Sequence, residues 1–422
     1  MTSWQTLSDV WTSLQFDDTP AGGALVVYHR GKKVVDSAIG QALPNMAWSA
    51  HTLSVNFSVG KGVMATLIAI LVSKGLLAYD KPISHFWRSF GANAKAHITL
   101  QDVLTHRAGL FNVSQLTSSS DDLLDWQTMI DKVAAMSADV PQAQESHHYV
   151  SAYSALVSGW VLGQVVCLAT GLSLQQALDT YLAEPLAVAG ELFYGLPSAQ
   201  LGKVAKPVRY FDQRVPTKQK PTLKPDTPKM IQTLSCLPIS RLWQERLSTK
   251  ALSTAAINKL YFNGAGMNMQ NYKNALMPNG RDGLAYHRDE VMQALIPAAN
   301  GVSSANALAK LYAMHANDGV WQDKVLIDVH TLQKMRQVSA DGLDAVMPAN
   351  MRWRLGFHRL FSLQHTPSAY GHMGYNGSVA FVDPARQLAL AFIHNFDTTM
   401  LNDVRQFAII ETAIELANQK LS

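Results

Sequence analysis

The chain has 422 residues, 48% of them hydrophobic and 16% charged, with a formal net charge of +4. This composition excludes a disordered chain, and no basic block is dense enough to point to nucleic acid. The length exceeds the roughly 250–300 residues at which a single core stops growing, so two domains are expected.

The opening residues Met1-Thr2-Ser3-Trp4-Gln5 carry neither a basic n-region nor an apolar h-region. No secretion signal is read, and a cytoplasmic location is expected. Trp4, Leu7, Val10, Trp11 and Leu14 recur at helical spacing and predict an amphipathic helix. Residues 24–29 and 33–38 are β-rich runs around Arg30-Gly31-Lys32, which reads as a hairpin.

Next comes Ser58-Val59-Gly60-Lys61, running into an uninterrupted apolar stretch at 63–72. The stretch predicts a helix capped by Asn56 or Ser54. Residues three apart share a helix face, so the Lys61 amine is expected against the Ser58 hydroxyl. At a helix start the backbone N–H groups lack intrahelical partners and the dipole favours negative charge. One segment thus offers a nucleophile, a base and half of an oxyanion hole. By itself the spacing fits a surface serine beside a surface lysine equally well. Three features argue for the site: this is the only S-x-x-K in the chain, apolar neighbours predict a buried lysine, and Gly60 and Gly62 flank it. Each helical glycine costs about 1 kcal/mol relative to alanine, and such a break in propensity marks close packing or function.

From 76 to 290 the chain reads as helix and loop, with helices at 123–135, 150–171 and 174–182. Residues 149–178 carry no Asp, Glu, Lys or Arg and are long enough to span a bilayer. Their serines, glycines and glutamines fit a helix buried between other elements better. Prolines at 207, 216, 221, 225 and 228 predict a long loop, either a lid or binding loop or a solvated insertion. Cys167 and Cys236 lie among apolar residues and read as buried free thiols in a reducing compartment. A helix is expected at 302–317. Strands follow at 377–382 and 387–394, joined by Asp383-Pro384-Ala385-Arg386. Val404, Phe407, Ile410, Ile414 and Leu421 close the chain as an amphipathic helix. Strands at both ends and helices between them predict an α/β (α+β) architecture. One antiparallel sheet is built from 1–75 and 291–422, and an all-helical domain at 76–290 is inserted into it.

These residues carry a family resemblance over nearly the whole chain. Ser58-Val59-Gly60-Lys61 is followed in order by the run from Ile98 to Leu110, which contains Leu104-Thr105-His106-Arg107-Ala108-Gly109-Leu110. Tyr153-Ser154-Ala155 and then His372-Met373-Gly374 come after it. The chain resembles the serine hydrolases of the β-lactamase and penicillin-binding-protein fold, and within them the family VIII carboxylesterases, which are related to class C β-lactamases. Two positions depart from the penicillin-recognising pattern: Ala155 stands where Asn is usual, and His372 where Lys is usual. A histidine is mostly neutral at pH 7, whereas a permanent cation suits a penicillin carboxylate. Both changes also occur in esterase-like relatives.

The resemblance implies an acyl-enzyme on Ser58, with Lys61 as general base and Tyr153 as proton relay. It implies an oxyanion hole made by the backbone N–H groups of Ser58 and Tyr375, with His372, Gly374 and Ala155 at the substrate. Read without it, Tyr153 is a structural core tyrosine, and the glycine after Met373 marks an ordinary strand bend. His106-Arg107 and Trp160 read as supports of the fold. There is no G-x-S-x-G, no H-E-x-x-H, no P-loop and no G-x-G-x-x-G. His147-His148, being adjacent, point apart. No cofactor, no metal, no nucleic acid and no membrane partner are expected. The expected activity is cleavage of short-chain carboxylic esters. The rivals are an acyltransferase or weak β-lactamase of the same fold, and a binding protein without catalysis. The 207–228 loop and the stretch Gly264-Ala265-Gly266-Met267-Asn268-Met269 are expected to wall an acyl pocket.

Overall fold

The computed structural model describes residues 3–15, 21–117, 119–140, 149–208, 228–262, 267–278 and 283–419. Most of the 207–228 loop and residues 264–266 lie outside them, as does Leu421.

A seven-stranded antiparallel sheet draws on both ends of the chain. Its strands are β1 (Gly22–His29), β2 (Lys32–Leu43), β3 (Met46–Ala47), β4 (His358–Arg359), β5 (Tyr370–Met373), β6 (Val379–Asp383) and β7 (Leu388–His394), in the spatial order β4-β5-β6-β7-β1-β2-β3. The β1–β2 turn is Arg30-Gly31, at φ 52° and 74°. Two successive positive φ values match the right-handed twist of a hairpin. The sheet is apolar on both faces, with the alternation a strand imposes. Leu25, Val27, Phe381, Leu390 and Phe392 belong to one buried cluster with Leu7 and Trp11 of α1 (Gln5–Ser13) and with Trp4, at its N-cap. Ile409, Ile410, Ala413 and Ile414 of a C-terminal helix complete it. Ala24, Val26, Ala389, Ala391 and Ile393 face the other way, into the main core.

The main core is organised around α2 (Val59–Ser73), in which every residue from Val59 to Leu71 is buried. A helix that is apolar all round has to be buried all round. Gly62 is what lets it sit there: a Cβ at that position would lie 2.3 Å from the Tyr312 hydroxyl of α3 (Ala305–Ala316). The C-terminal helix, α4 (Arg405–Gln419), packs with α1 across the outer face of the sheet.

A second, four-stranded sheet is made of very short pieces, in the order Leu192–Phe193, Val302–Ser303, Leu53–Val55, Val204–Ala205. Periodicity could not predict strands of two or three residues, so the 76–290 segment is less purely helical than expected. The uncharged stretch also differs from the single helix expected at 150–171. It begins as a strand, Tyr149–Ser151, and is helical only over Val157–Thr170. It then bends by 75° into Leu174–Ala183. No single helix among the described residues is long and apolar enough to cross a membrane. Both cysteines are free thiols, but Cys236 is exposed and Cys167 half-buried, which corrects the expectation of buried ones. Cys236 closes its helix on the solvent side, and Leu234 and Leu237 fill the core.

Candidate active site

Strand Leu53–Val55 ends in a turn that delivers Ser58 to the start of α2. Phe57, immediately before it, holds φ at 51°. That is an unfavourable region for an aromatic residue, and such strain is concentrated at functional sites. Neither expected cap caps this helix. The Asn56 amide donates to Ser303 Oγ at 3.0 Å, and the Ser54 hydroxyl donates to the Ala205 carbonyl at 2.8 Å. Both tie the turn to neighbouring strands. Ser58 itself occupies the N-cap position without a side-chain capping bond.

Lys61 lies one turn on and is 7% exposed. Its Nζ is 2.8 Å from the Ala155 carbonyl, 2.7 Å from the Ala298 carbonyl and 3.2 Å from Ser58 Oγ. Gly159 makes the second contact possible: a Cβ there would stand 2.4 Å from the Ala298 nitrogen. Burial holds the lysine well below its ordinary pKa. The Tyr153 hydroxyl donates to Ser58 Oγ at 2.8 Å, and burial pushes its pKa upward. Carbonyls only accept. In the neutral amine the two N–H bonds are therefore taken by Ala155 and Ala298, and the lone pair is left facing Ser58. The chain Tyr153 O–H, Ser58 O–H, Lys61 Nζ is then a consistent run of donors and acceptors.

Gly374 passes close to the nucleophile turn, where a Cβ would meet the Asn56 carbonyl at 3.0 Å. Its amide bonds to the Ser378 carbonyl at 2.6 Å, and the Tyr375 carbonyl accepts from Met400 N–H at 2.7 Å. Among the described residues, the N–H groups of Ser58 and Tyr375 donate to no protein acceptor. The Phe57 and Tyr375 rings are 6.3 Å apart.

His372 is 2% exposed, with Nδ1 on the Met373 carbonyl at 3.1 Å and Nε2 unpartnered. It neighbours His358, whose Nε2 accepts from Met373 N–H at 2.9 Å. Burial pushes His358 down to about 4, and burial with nearby His358 and Lys61 holds His372 well below its usual range. His106, also held down by burial and Lys61, accepts from Ser154 N–H at 3.1 Å. The imidazoles around the site are thus neutral at pH 7. Arg107 is exposed, whereas Trp160 is buried and donates to the Leu295 carbonyl at 3.1 Å. Among the described residues, no group of three His, Cys, Asp or Glu side chains is placed to hold a metal ion.

Two residues at the site went unnoticed in the sequence: Asp344, bonded to Tyr153 N–H at 3.1 Å, and Trp353, stacked on the Tyr153 ring at 5.5 Å and 11°. Nothing local in the sequence signals either one, because each acts across about 190–200 positions of chain.

Fold and site together define a serine hydrolase of the β-lactamase fold. The chain belongs to the Beta-lactamase family, whose model matches residues 15–414. It is 32% identical over 381 residues to the Esterase/beta-lactamase LipL of Mycobacterium tuberculosis, covering 89% of this chain and 77% of that one. A solved penicillin-binding-protein homologue from Caulobacter crescentus superposes with a TM-score of 0.72 at 25% identity, covering 98% of this chain and 97% of that one. A family VIII carboxylesterase superposes at 0.70 and 22% identity, covering 98% and 97%.

Proposed function

We propose that the protein is a serine carboxylesterase that cleaves short-chain esters through an acyl-enzyme on Ser58. The observation that carries this reading is the position of Ser58 Oγ between Lys61 Nζ at 3.2 Å and the Tyr153 hydroxyl at 2.8 Å. Burial displaces those two groups in opposite directions, lysine down and tyrosine up. The proton rests on the phenol, and the amine is bare. Lys61 takes the Ser58 proton as Oγ attacks the ester carbonyl, forming the C–O bond. The oxyanion is held by the Ser58 and Tyr375 N–H groups. Tyr153 passes a proton to the departing alcohol and is reprotonated from Lys61. Water then attacks the acyl-enzyme along the same path in reverse.

The substrate side of the reading rests on charge. Ala155 offers no amide side chain, and His372 is a neutral imidazole, so a penicillin carboxylate meets neither of its usual partners. Gly374 lets the turn bearing Tyr375, between β5 and β6, approach the ester. The substrate is a neutral small molecule and no cofactor takes part. We keep with this reading a cytoplasmic location and the division into 1–75 with 291–422 and 76–290.

The test uses p-nitrophenyl esters from acetate to decanoate, with nitrocefin alongside and with added alcohols. Ester turnover is expected to exceed nitrocefin turnover. Acyl-length selectivity is expected to be graded, because one methylene in an apolar pocket is worth about 1–3 kcal/mol. Mass spectrometry after a phosphonate should place the adduct on Ser58, and Ser58→Ala should abolish turnover while the protein stays folded. A higher specificity constant for nitrocefin would make it a β-lactamase. Product partitioning mainly to the added alcohol would make it an acyltransferase. No adduct and no turnover would leave a binding protein.

A further inference from the structure

Three consecutive backbone N–H groups at Tyr153 are held by only two residues. Ala152 N–H donates to the His106 carbonyl at 2.9 Å, Tyr153 N–H to Asp344 Oδ1 at 3.1 Å, and Ser154 N–H to His106 Nδ1 at 3.1 Å. His106 is the expected support and takes a left-handed backbone, at φ 55°, to do so. Asp344 is the unexpected one. It is 2% exposed, and its strand pairs with Tyr149–Ser151 just before the tyrosine.

Among the described residues, the Asp344 carboxylate accepts five hydrogen bonds, all from neutral donors. Besides Tyr153 N–H, Oδ1 takes Val346 and Met347 N–H, each at 2.9 Å. Oδ2 takes the Ser151 hydroxyl at 2.7 Å and the Trp353 indole N–H at 3.1 Å. A buried charge without a cationic partner persists only when it is this fully hydrogen-bonded. Trp353 in turn lies flat on the Tyr153 ring, and the His106 ring stands edge-on to both, at 4.9 Å and 4.3 Å. One carboxylate therefore fixes the tyrosine from its backbone and, through the indole, from its ring.

We propose that Asp344 is a positioning residue for the reaction: its carboxylate holds the Tyr153 backbone and the Trp353 ring so that the phenol stays on Ser58 Oγ. This rests on the reading of Tyr153 as proton relay. The placement has a second consequence. A fixed negative charge behind the phenol disfavours phenolate, so the proton is kept for the leaving alcohol while Lys61 alone serves as base.

The experiment compares ethyl butyrate, whose alkoxide leaves only with a proton, with p-nitrophenyl butyrate, whose phenolate leaves without one. Asp344→Asn, Tyr153→Phe and the double variant are measured on the full chain. For Asp344→Asn, kcat/KM on the ethyl ester is expected to fall about tenfold through kcat, as mispositioned catalytic groups do. On the p-nitrophenyl ester it should change by less than about threefold, since no proton donor is needed there. In the Tyr153→Phe background, adding Asp344→Asn should change the ethyl-ester rate by less than about twofold, because residues acting through one another are non-additive. Equal losses on both esters, or full additivity, would overturn the proposal. If Asp344→Asn fails to unfold cooperatively, Ser151→Ala removes one donor to the carboxylate. It should give the same ester-selective loss at about threefold, and no selectivity would overturn the proposal as well. If Tyr153→Phe itself spares the ethyl ester, the relay assignment fails and this proposal falls with it. If Tyr153→Phe is ester-selective and Asp344→Asn is not, Asp344 alone is misplaced.

Discussion

Among the described residues two lysines are buried, and they do opposite things with their nitrogen. Lys95 is closed off from solvent, with its Nζ donating to the carbonyls of Ala92, Ala134 and Met136. Lys61 also has three oxygen neighbours, but only two are carbonyls, and the third is the Ser58 hydroxyl. A carbonyl can only accept, so three of them call for three N–H bonds and hold an ammonium. A hydroxyl can also donate, so Lys61 can give up its third proton and remain satisfied. Burial lowers both lysines and lowers Lys61 well below the ordinary value. Burial alone therefore does not make a base. The chemical type of the last acceptor does.

The sharpest way to break this contrast is to remove each amine. Lys61→Met is expected to reduce kcat for p-nitrophenyl butyrate by about a thousandfold or more, since among the described residues the other group on Ser58 Oγ is the Tyr153 phenol, which burial keeps protonated. Lys95→Met should leave kcat within about twofold, because Lys95 touches nothing in the site, and should instead lower the unfolding free energy by about 3 kcal/mol. The buried carbonyls of Ala134 and Met136 lose their donor there, at roughly 1–3 kcal/mol for each unsatisfied group, whereas the Ala92 carbonyl keeps the Lys95 backbone N–H. Steady-state kinetics and urea unfolding on both variants separate the two cases. Comparable kcat losses would mean that Lys95 is coupled to the site, and the distinction would fail.

The two lysines also differ in how far the sequence revealed them. Lys61 was legible because its signal is local: the serine one turn before it, the apolar run that buries it, and glycines that break helix propensity where the Tyr312 hydroxyl comes close to α2. Strands β1, β2, β6 and β7, with α1 and α4, were legible for the same reason, as local patterns within short windows, whereas the short or interrupted strands β3, β4 and β5 were not. Lys95 sits in Ala92-Asn93-Ala94-Lys95, and two of its acceptors lie 39 and 41 positions away, so no window contains the cage. Asp344 is further still, 191 positions from Tyr153. The break before Val157 in the uncharged stretch was missed likewise, because His106 and Asp344 impose it from other parts of the chain.

Titration is the next test, with a smaller effect. The acidic limb of kcat/KM follows deprotonation of Lys61 and should level off well below the reference lysine value of about 10.4. The alkaline side should stay flat beyond the ordinary tyrosine range, since Tyr153 is displaced upward. Stability follows the same group. Its folded pKa lies below its unfolded one, so between the two the unfolded chain binds the extra proton. This contribution to stability accordingly grows as pH rises across that window and is absent below it. An activity limb centred near 10 would mean that Lys61 rests as an ammonium, as Lys95 does.

The smallest effect examines the charge on Lys95 directly. Its Nζ stands 5.3 Å from the centroid of the buried Phe90 ring. A cation in that position, closed off from solvent, is attracted to the ring face by about 2 kcal/mol, and a neutral amine is not. Phe90→Leu alone mixes this term with lost packing, so a double-mutant cycle with Lys95→Met is required, in which the packing loss is common to both backgrounds. A coupling of about 2 kcal/mol in urea unfolding at pH 7 is expected for a charged Lys95. A coupling near zero would indicate a neutral amine among three carbonyls. The count of acceptor lone pairs would then no longer decide which buried lysine keeps its proton, and the low pKa of Lys61 would have to be ascribed to depth alone.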